Sequence, residues 1–242
     1  MTMLSHHNGC VLRLSRAFSA PVTKQLVVFP HAGGSASFYQ HWRDGLPDDV
    51  DLFILHYPGR EERHAESAWE TAQQAIDACA NALRSSLGIA PIVMFGHSMG
   101  ALLAMQVAAA LRDSRFQAKT VLSAQRTPSE LQHLQQESQR QTLLAHILTF
   151  SENSGDLALD DLTRPIVAQL ILQDLQLLAH LAALPLPDIA LRIIGGDSDP
   201  LVSKSSLLHW QKEHANSQVE FLPGDHFYFM RDTSAFLRQL MH

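Results

Sequence analysis

The chain has 242 residues, of which 46% are hydrophobic and 17% charged, and its formal net charge is −6. This length and composition suit one globular domain with a sizeable core, and the acidic balance argues against nucleic acid as a partner. The 14 histidines are scattered without the spacing of metal ligands, so we expect no metal site.

Cysteine usage and the N-terminal stretch indicate where the protein works. Cys10 and Cys79 are too few for a disulfide framework and fit a reducing compartment. Arg13 and Arg16 interrupt the apolar stretch that a secretory signal would need, and no apolar run reaches membrane-spanning length. We therefore expect a cytosolic chain with no membrane partner, and a monomer, since no motif indicates an oligomer.

The first half of the chain alternates strand-like and helix-like stretches. We expect a disordered leader over residues 1–8 and a weak edge strand over 11–14. Short apolar runs typical of buried strands follow at 25–29, 51–57, 92–95 and 119–123. Helical stretches separate them at 38–46, 67–87 and 101–111. This alternation predicts a mostly parallel central sheet with helices on both faces.

The alternation stops after residue 124. Residues 125–187 contain no convincing strand but several helical stretches, at 129–141, 141–149 and 164–184. Strands resume at 189–194 and 218–222, with helices at 203–215 and 232–241. About sixty residues is too long for an ordinary crossover, so we interpret 125–187 as a helical lid over the carboxyl ends of the strands. The predicted organisation is a core of 1–124 and 188–242 with the lid 125–187 inserted.

A G-x-S-x-G motif lies between the strand at 92–95 and the Ala-rich helix at 101–111. It reads Gly96-His97-Ser98-Met99-Gly100. In that context the motif predicts a nucleophile elbow, in which a sharp turn exposes the serine above the sheet. A β-carbon at either glycine would clash in such a turn. Ser98 is therefore the predicted nucleophile, and we interpret His97 as structural.

A serine nucleophile needs a histidine base and a carboxylate that orients it. In α/β-hydrolases these occur in the order Ser, Asp or Glu, His, each after a strand. Asp197 and Asp199 follow the strand at 189–194, and His226 follows the last strand. We choose Asp199 because Asp197 is nearer the strand end, where its side chain can hold the turn.

The Gly-rich loop 31–37 follows the strand at 25–29 and reads H-A-G-G-S-A-S. It lacks the glycine and lysine spacing of nucleotide-binding loops, so no nucleotide is expected. In α/β-hydrolases this loop supplies an oxyanion donor beside the residue after the nucleophile. The backbone N–H groups of Ala32 and Met99 are the predicted donors.

A cluster of charges follows the strand at 51–57. It reads Arg60-Glu61-Glu62-Arg63 and comes directly after Pro58-Gly59. We interpret it as a solvated loop.

Together these motifs resemble one family. They are F-P-H-A-G-G-S-A at 29–36, Y-P-G-R-E at 57–61, G-H-S-M-G at 96–100, G-G-D-S-D-P at 195–200 and G-D-H-F-Y-F at 224–229. The chain resembles, from about Leu12 to its end, the type II thioesterases associated with nonribosomal peptide and polyketide synthesis. The combination is far more specific than any single motif.

The resemblance implies an α/β-hydrolase fold that hydrolyses acyl groups from the phosphopantetheine arm of acyl or peptidyl carrier proteins, with no cofactor. It supports Ser98 as nucleophile, Asp199 as acid and His226 as base, with Ala32 and Met99 as oxyanion donors. The chain departs from the family in the lid, at residues 125–128 and 172–175, which bears on acyl specificity. We expect part of one apolar set to line an acyl pocket: Leu143, Leu144, Ile147, Leu148, Ile171, Leu175 and Leu178.

Three other readings share these residues. A small-molecule carboxylesterase or lipase would use the same triad on oxygen esters. An acyltransferase would pass the acyl group to an alcohol or amine instead of water. A noncatalytic protein that docks onto a synthase would not need all of Ser98, Asp199 and His226.

Overall fold

The structure, a computed structural model, describes residues 3–16, 21–112, 116, 118–154 and 160–242. The described residues form eight strands in one sheet, in the order β1-β2-β4-β3-β5-β6-β7-β8. The strands are β1 Met3–Asn8, β2 Val11–Arg16, β3 Lys24–Phe29, β4 Val50–Leu55, β5 Ile92–His97, β6 Ala118–Ser123, β7 Leu191–Gly196 and β8 Ser217–Leu222. β1 and β2 pair antiparallel and β2 joins β4 antiparallel, whereas the pairs from β4 to β8 are parallel.

The central strands are apolar and buried along nearly their whole length. Every residue of β4 and β5 is buried, and so are five of the six residues of β3. This is the pattern of a parallel sheet covered on both faces. The predicted mostly parallel sheet with helices on both sides is confirmed.

Helices of the described chain cover both faces of the sheet. They are α1 Ala36–Gln40, α2 Trp42–Gly45, α3 Ala72–Ser86, α4 Met99–Ala110, α5 Glu137–Ser154, α6 Thr163–Ala182, α7 Lys204–Glu213 and α8 Thr233–Met241. One buried cluster contains residues of α3, α4, α6 and α7, and the other contains residues of α1, α2 and α8. Alternate residues of β3 point to opposite faces of the sheet and pack in different clusters. Val27 and Phe29 belong to the first cluster, and Leu26 and Val28 belong to the second.

Capping residues account for several helix boundaries. The helix predicted at 67–87 begins at Ala72, because Thr71 caps it by accepting a hydrogen bond from Gln74 N at 3.2 Å. Asp232 caps α8 by accepting one from Ala235 N at 2.9 Å. The single helix predicted at 38–46 is instead the short pair α1 and α2.

The prediction of a disordered leader at 1–8 is wrong for its described part. Residues 3–8 form β1, which pairs with β2 from Met3↔Arg16 to Asn8↔Val11. The sequence Met-Leu-Ser-His-His-Asn has no run of alternating apolar residues, so its pairing depends on β2 more than on local propensity. The predicted edge strand at 11–14 is confirmed as a strand but lies second from the edge. Residues 1–2 lie outside the described residues.

The segment between β6 and β7 is helical in its described part. It holds a 3₁₀ segment, Ser129–Gln135, followed by α5 and α6. Among the described residues, α6 has, by length and composition alone, the character of a membrane-crossing helix, and 44% of its apolar window is buried inside the protein. That residues 125–187 act as a separate lid stays a prediction.

Candidate active site

Ser98 lies on the sharp turn between β5 and α4. Its backbone is at φ 51° and ψ −124°, a strained conformation for a residue with a side chain, and its N–H donates to Ser123 O at 2.8 Å. A β-carbon on Gly96 would lie 2.2 Å from Gly100 O, and one on Gly100 would lie 2.2 Å from Phe29 O. The turn therefore has the geometry that the motif predicts, and its two glycines allow the backbones to approach.

His226 and Asp199 meet across the loops that follow β8 and β7. His226 Nδ1 lies 2.7 Å from Asp199 Oδ2, and both side chains are buried. The other carboxylate oxygen accepts from the N–H groups of Leu201 at 2.7 Å and Val202 at 3.0 Å. An ionised Asp199 held in this way orients the imidazole with its proton on Nδ1, which leaves Nε2 able to accept a proton.

Asp197 has a different environment, although it is only two residues from Asp199. Its Oδ1 accepts from Gly224 N at 3.0 Å and from Ser198 Oγ at 3.3 Å. The Gly224 N–H holds the pKa of this exposed carboxyl below its ordinary value. Asp197 thus ties the loop after β7 to the loop after β8, while Asp199 contacts the histidine.

The two predicted oxyanion donors come from two segments, Met99 from the elbow itself and Ala32 from the loop after β3. Met99 is the first residue of α4, so its N–H has no intrahelical acceptor. Ala32 lies in the loop after β3 and lines the same cavity as Ser98 and His226. Both N–H groups come from the carboxyl edge of the sheet, where β3 and β5 are neighbours.

That cavity has a volume of about 140 Å³ and opens above Ser98. Side chains of α5 and α6 supply much of its apolar wall: Leu143, Ile147, Ile171, Leu175 and Leu178. Leu144 and Leu148, named in the same predicted set, are buried in the core cluster instead. A larger, more open groove adjoins the cavity and shares Arg126, Leu143, Phe150 and Leu201 with it.

Two further histidines adjoin His226. The His97 ring lies 4.7 Å from that of His226, and its Nδ1 pairs with Ser123 Oγ at 2.9 Å. His31 pairs with Tyr39 Oη at 2.9 Å. Burial, with a contribution from His226, lowers the pKa of His31 to about 3 and holds the pKa of His97 well below its ordinary value. Both rings are therefore neutral at neutral pH.

The interpretation of the charge cluster as a solvated loop is wrong for Arg60, which is only 6% exposed. Its guanidinium forms a two-pronged ion pair with Asp174 of α6, at 2.9 and 2.8 Å. Glu61 accepts from the N–H groups of Ala36 and Ser37, at the start of α1. Both Nη groups of this buried arginine have acceptors, whereas its Nε has none among the described residues. Asp174 is 114 positions away from Arg60 in the sequence, so the Y-P-G-R-E motif was the only sequence signal that this segment matters.

One group of described residues has the composition of a metal site. Ligand atoms of His56, Glu61 and Glu62 lie within 4.8 Å of one another. Glu61, however, already accepts the two N–H groups at the start of α1. The arrangement therefore has a structural explanation, and we assign no metal to it.

Comparisons with known proteins agree with this site. A family model described as a thioesterase domain matches residues 24–242. The chain is 30% identical over 89% of its length to AMB antimetabolite synthetase AmbE of Pseudomonas aeruginosa, and 26% identical over 87% to a probable cadicidin biosynthesis thioesterase of Streptomyces griseus. It spans 10% of the first relative and 60% of the second.

Similar solved structures share the fold. The type II thioesterase BorB from the borrelidin biosynthetic cluster is 25% identical, with a TM-score of 0.73, and the match covers 96% of this chain and 94% of that one. The predicted α/β-hydrolase fold is confirmed.

Proposed function

The chain belongs to the thioesterase-domain family, and from this premise we propose that it is a type II thioesterase. It hydrolyses acyl thioesters from the phosphopantetheine arm of carrier proteins of nonribosomal peptide or polyketide synthases. The observation that carries the proposal is the buried Asp199–His226 pair, whose histidine lines the same largely apolar cavity as Ser98.

The geometry supports a two-step reaction. Ser98 Oγ attacks the thioester carbonyl while His226 Nε2 takes the hydroxyl proton, and collapse of the tetrahedral adduct returns that proton to the leaving pantetheine thiol. A water molecule, deprotonated by His226, then attacks the acyl-serine, and the proton passes to Ser98 as the acid departs. In both steps the N–H groups of Ala32 and Met99 stabilise the oxyanion, and Asp199 stabilises the imidazolium.

The surroundings of Ser98 fit an acyl substrate on a long arm. Apolar walls with few polar groups are typical of ligand sites, and here they lie directly above the nucleophile. We propose that the adjoining groove receives the thin arm of such a substrate. The chemistry needs no cofactor, because Ser98 supplies the nucleophile and His226 makes every proton transfer. We place the enzyme in the cytosol with the carrier proteins.

Release of acyl groups from loaded carrier proteins tests the proposal. Wild-type enzyme should free acyl groups from carrier-bound thioesters faster than it cleaves the matching oxygen esters. Ser98→Ala should abolish release and covalent labelling by a fluorophosphonate. Ser35→Ala is the matched control, since Ser35 lines the same cavity but pairs with Ser37. A preference for oxygen esters would favour the carboxylesterase reading, and labelling of another serine would overturn the assignment.

A further inference from the structure

Three contacts hold the loop that carries Ala32. Tyr57 Oη donates to Pro30 O at 3.1 Å, just before the donor residue. Just after it, Gly33 N donates to Asp174 Oδ2 at 2.7 Å, and Arg60 Nη1 donates to Gly34 O at 2.8 Å. The Ala32 N–H is therefore flanked on both sides by fixed backbone groups.

These contacts form one buried unit. Arg60 and Asp174 are 6% and 5% exposed, and the guanidinium also lies over the Tyr57 ring, 5.3 Å from its centre. One carboxylate oxygen, Oδ2, takes hydrogen bonds from both Gly33 N and Arg60. The loop backbone supplies a partner to each charge, Gly33 N to Asp174 and Gly34 O to Arg60, while Arg60 Nε is buried without a hydrogen-bond partner among the described residues.

The loop also rests directly against α6. Gly33 has φ +75°, and a β-carbon there would lie 2.6 Å from Ile171 Cγ1. Ile171 lines the acyl cavity, and Asp174 lies three residues further along the same helix. One helix therefore supplies a wall of the cavity and the acceptor that holds the oxyanion loop.

We propose that Arg60 and Asp174 are positioning residues that make the oxyanion hole depend on the seating of α6. When α6 is seated, the Asp174 carboxylate fixes Gly33 and the Arg60 fork fixes Gly34, so that the Ala32 N–H points at the position where charge develops. Withdrawal of α6 removes the acceptor of the Gly33 N–H, and the Ala32 N–H then loses its fixed position. This inference deepens the proposed function and rests on it.

The test removes the pair without leaving a buried charge. Replacing both partners by apolar residues preserves folding better than removing one, so the main variant is Arg60→Met/Asp174→Leu. Because an oxyanion donor acts on the transition state, we expect kcat on a small acyl thioester to fall about 10- to 100-fold with KM changed less than about twofold. Arg13→Met/Asp51→Leu removes an ion pair between β2 and β4 and is the matched control.

Two further measurements keep the outcome decisive. Arg60→Lys retains the cation but loses the two-pronged guanidinium, so its kcat should lie between those of wild type and the double variant. If the double variant fails to fold, Arg60→Lys should still have a lower kcat than wild type. The rate of Ser98 labelling by a fluorophosphonate should fall in parallel, and it needs no natural substrate. If wild type labels normally but hydrolyses no thioester, the proposed function fails while the positioning role is still measured. Unchanged kcat and labelling in a folded Arg60→Lys or double variant would overturn the inference.

Discussion

Asp197 and Asp199 differ only in position within one loop, yet their side chains meet different partners. Asp199 contacts His226 Nδ1, whereas Asp197 contacts Gly224 N. Asp199→Asn should place the histidine in the wrong tautomer and lower kcat about 10⁴-fold on an acyl thioester. Asp197→Asn should change kcat less than about tenfold, because an amide oxygen still accepts from Gly224 N. Steady-state kinetics of the two variants make the comparison, and the opposite ranking would exchange their roles.

His31 and His97 should make the free energy of unfolding depend on pH. Their pKa values are lowered in the folded state, to about 3 for His31 and well below the ordinary value for His97, mainly by burial. Between these values and about 6.5, the ordinary histidine pKa, the unfolded chain therefore binds more protons than the folded one. The free energy of unfolding should fall as pH falls through this window, and each ring contributes up to about 1.4 kcal/mol per pH unit.

Urea unfolding at pH 6.5, 5.5 and 4.5 measures this effect. Removing one ring, as in His97→Gln, should reduce the slope of unfolding free energy against pH by up to that amount, whatever the variant does to stability at pH 7. Protonation of carboxylates contributes equally to both proteins and cancels in the difference. An unchanged slope would show that His97 does not resist protonation in the folded state.

At the scale of elements, α6 packs against the core and also lines the cavity. Its residues Leu175 and Leu178 are buried and line the cavity above Ser98. A phenylalanine at either position should shorten the space for an acyl chain. We expect kcat/KM to fall about tenfold or more on long acyl-carrier substrates while hydrolysis of a short acyl thioester persists.

Leu177 supplies the matched control for these variants. It is equally buried on α6 but does not line the cavity. Leu177→Phe should cost stability through overpacking without changing the ratio of long-chain to short-chain activity. Thermal melts and an acyl-length series on all three variants separate the two effects. An equal loss on short and long chains would show that Leu175 and Leu178 do not select the acyl group.

An element can be predicted from the sequence when neighbouring residues determine it, and cannot when contacts with distant residues do. The strands before Ser98 and Asp199 are largely apolar, the strand before His226 alternates polar and apolar residues, and each is followed by a motif, so their order and their loops could be predicted. β1 could not, because its polar residues are ordered by pairing with β2. The Arg60–Asp174 pair could not either: its partners lie 114 positions apart, and a charge cluster in a sequence is ordinarily solvated.

At the scale of the whole molecule, the site exists only when the sheet is complete. Ser98 follows β5, Asp199 follows β7 and His226 follows β8, while Ala32 follows β3. β5 is hydrogen-bonded to β3 on one side and to β6 on the other, and β7 lies between β6 and β8. The carboxyl ends of these parallel strands share one edge, which brings residues from across the chain into one cavity.

Gly100 joins two parts of this assembly, because the start of α4 packs there against the end of β3. A β-carbon on Gly100 would lie 2.2 Å from Phe29 O and 2.4 Å from Pro30 O, and both are backbone atoms that cannot turn aside. Gly100→Ala should therefore cost more than about 4 kcal/mol and yield little folded protein, as measured by soluble yield and thermal melting. Gly88→Ala is the control, since its β-carbon would meet only Gln25 Oε1, at 3.6 Å. That variant should stay within about 1 kcal/mol of wild type. A Gly100→Ala protein that melts like wild type would mean that α4 can move away from β3, and Met99, the proposed oxyanion donor, would then have no fixed position relative to Ala32.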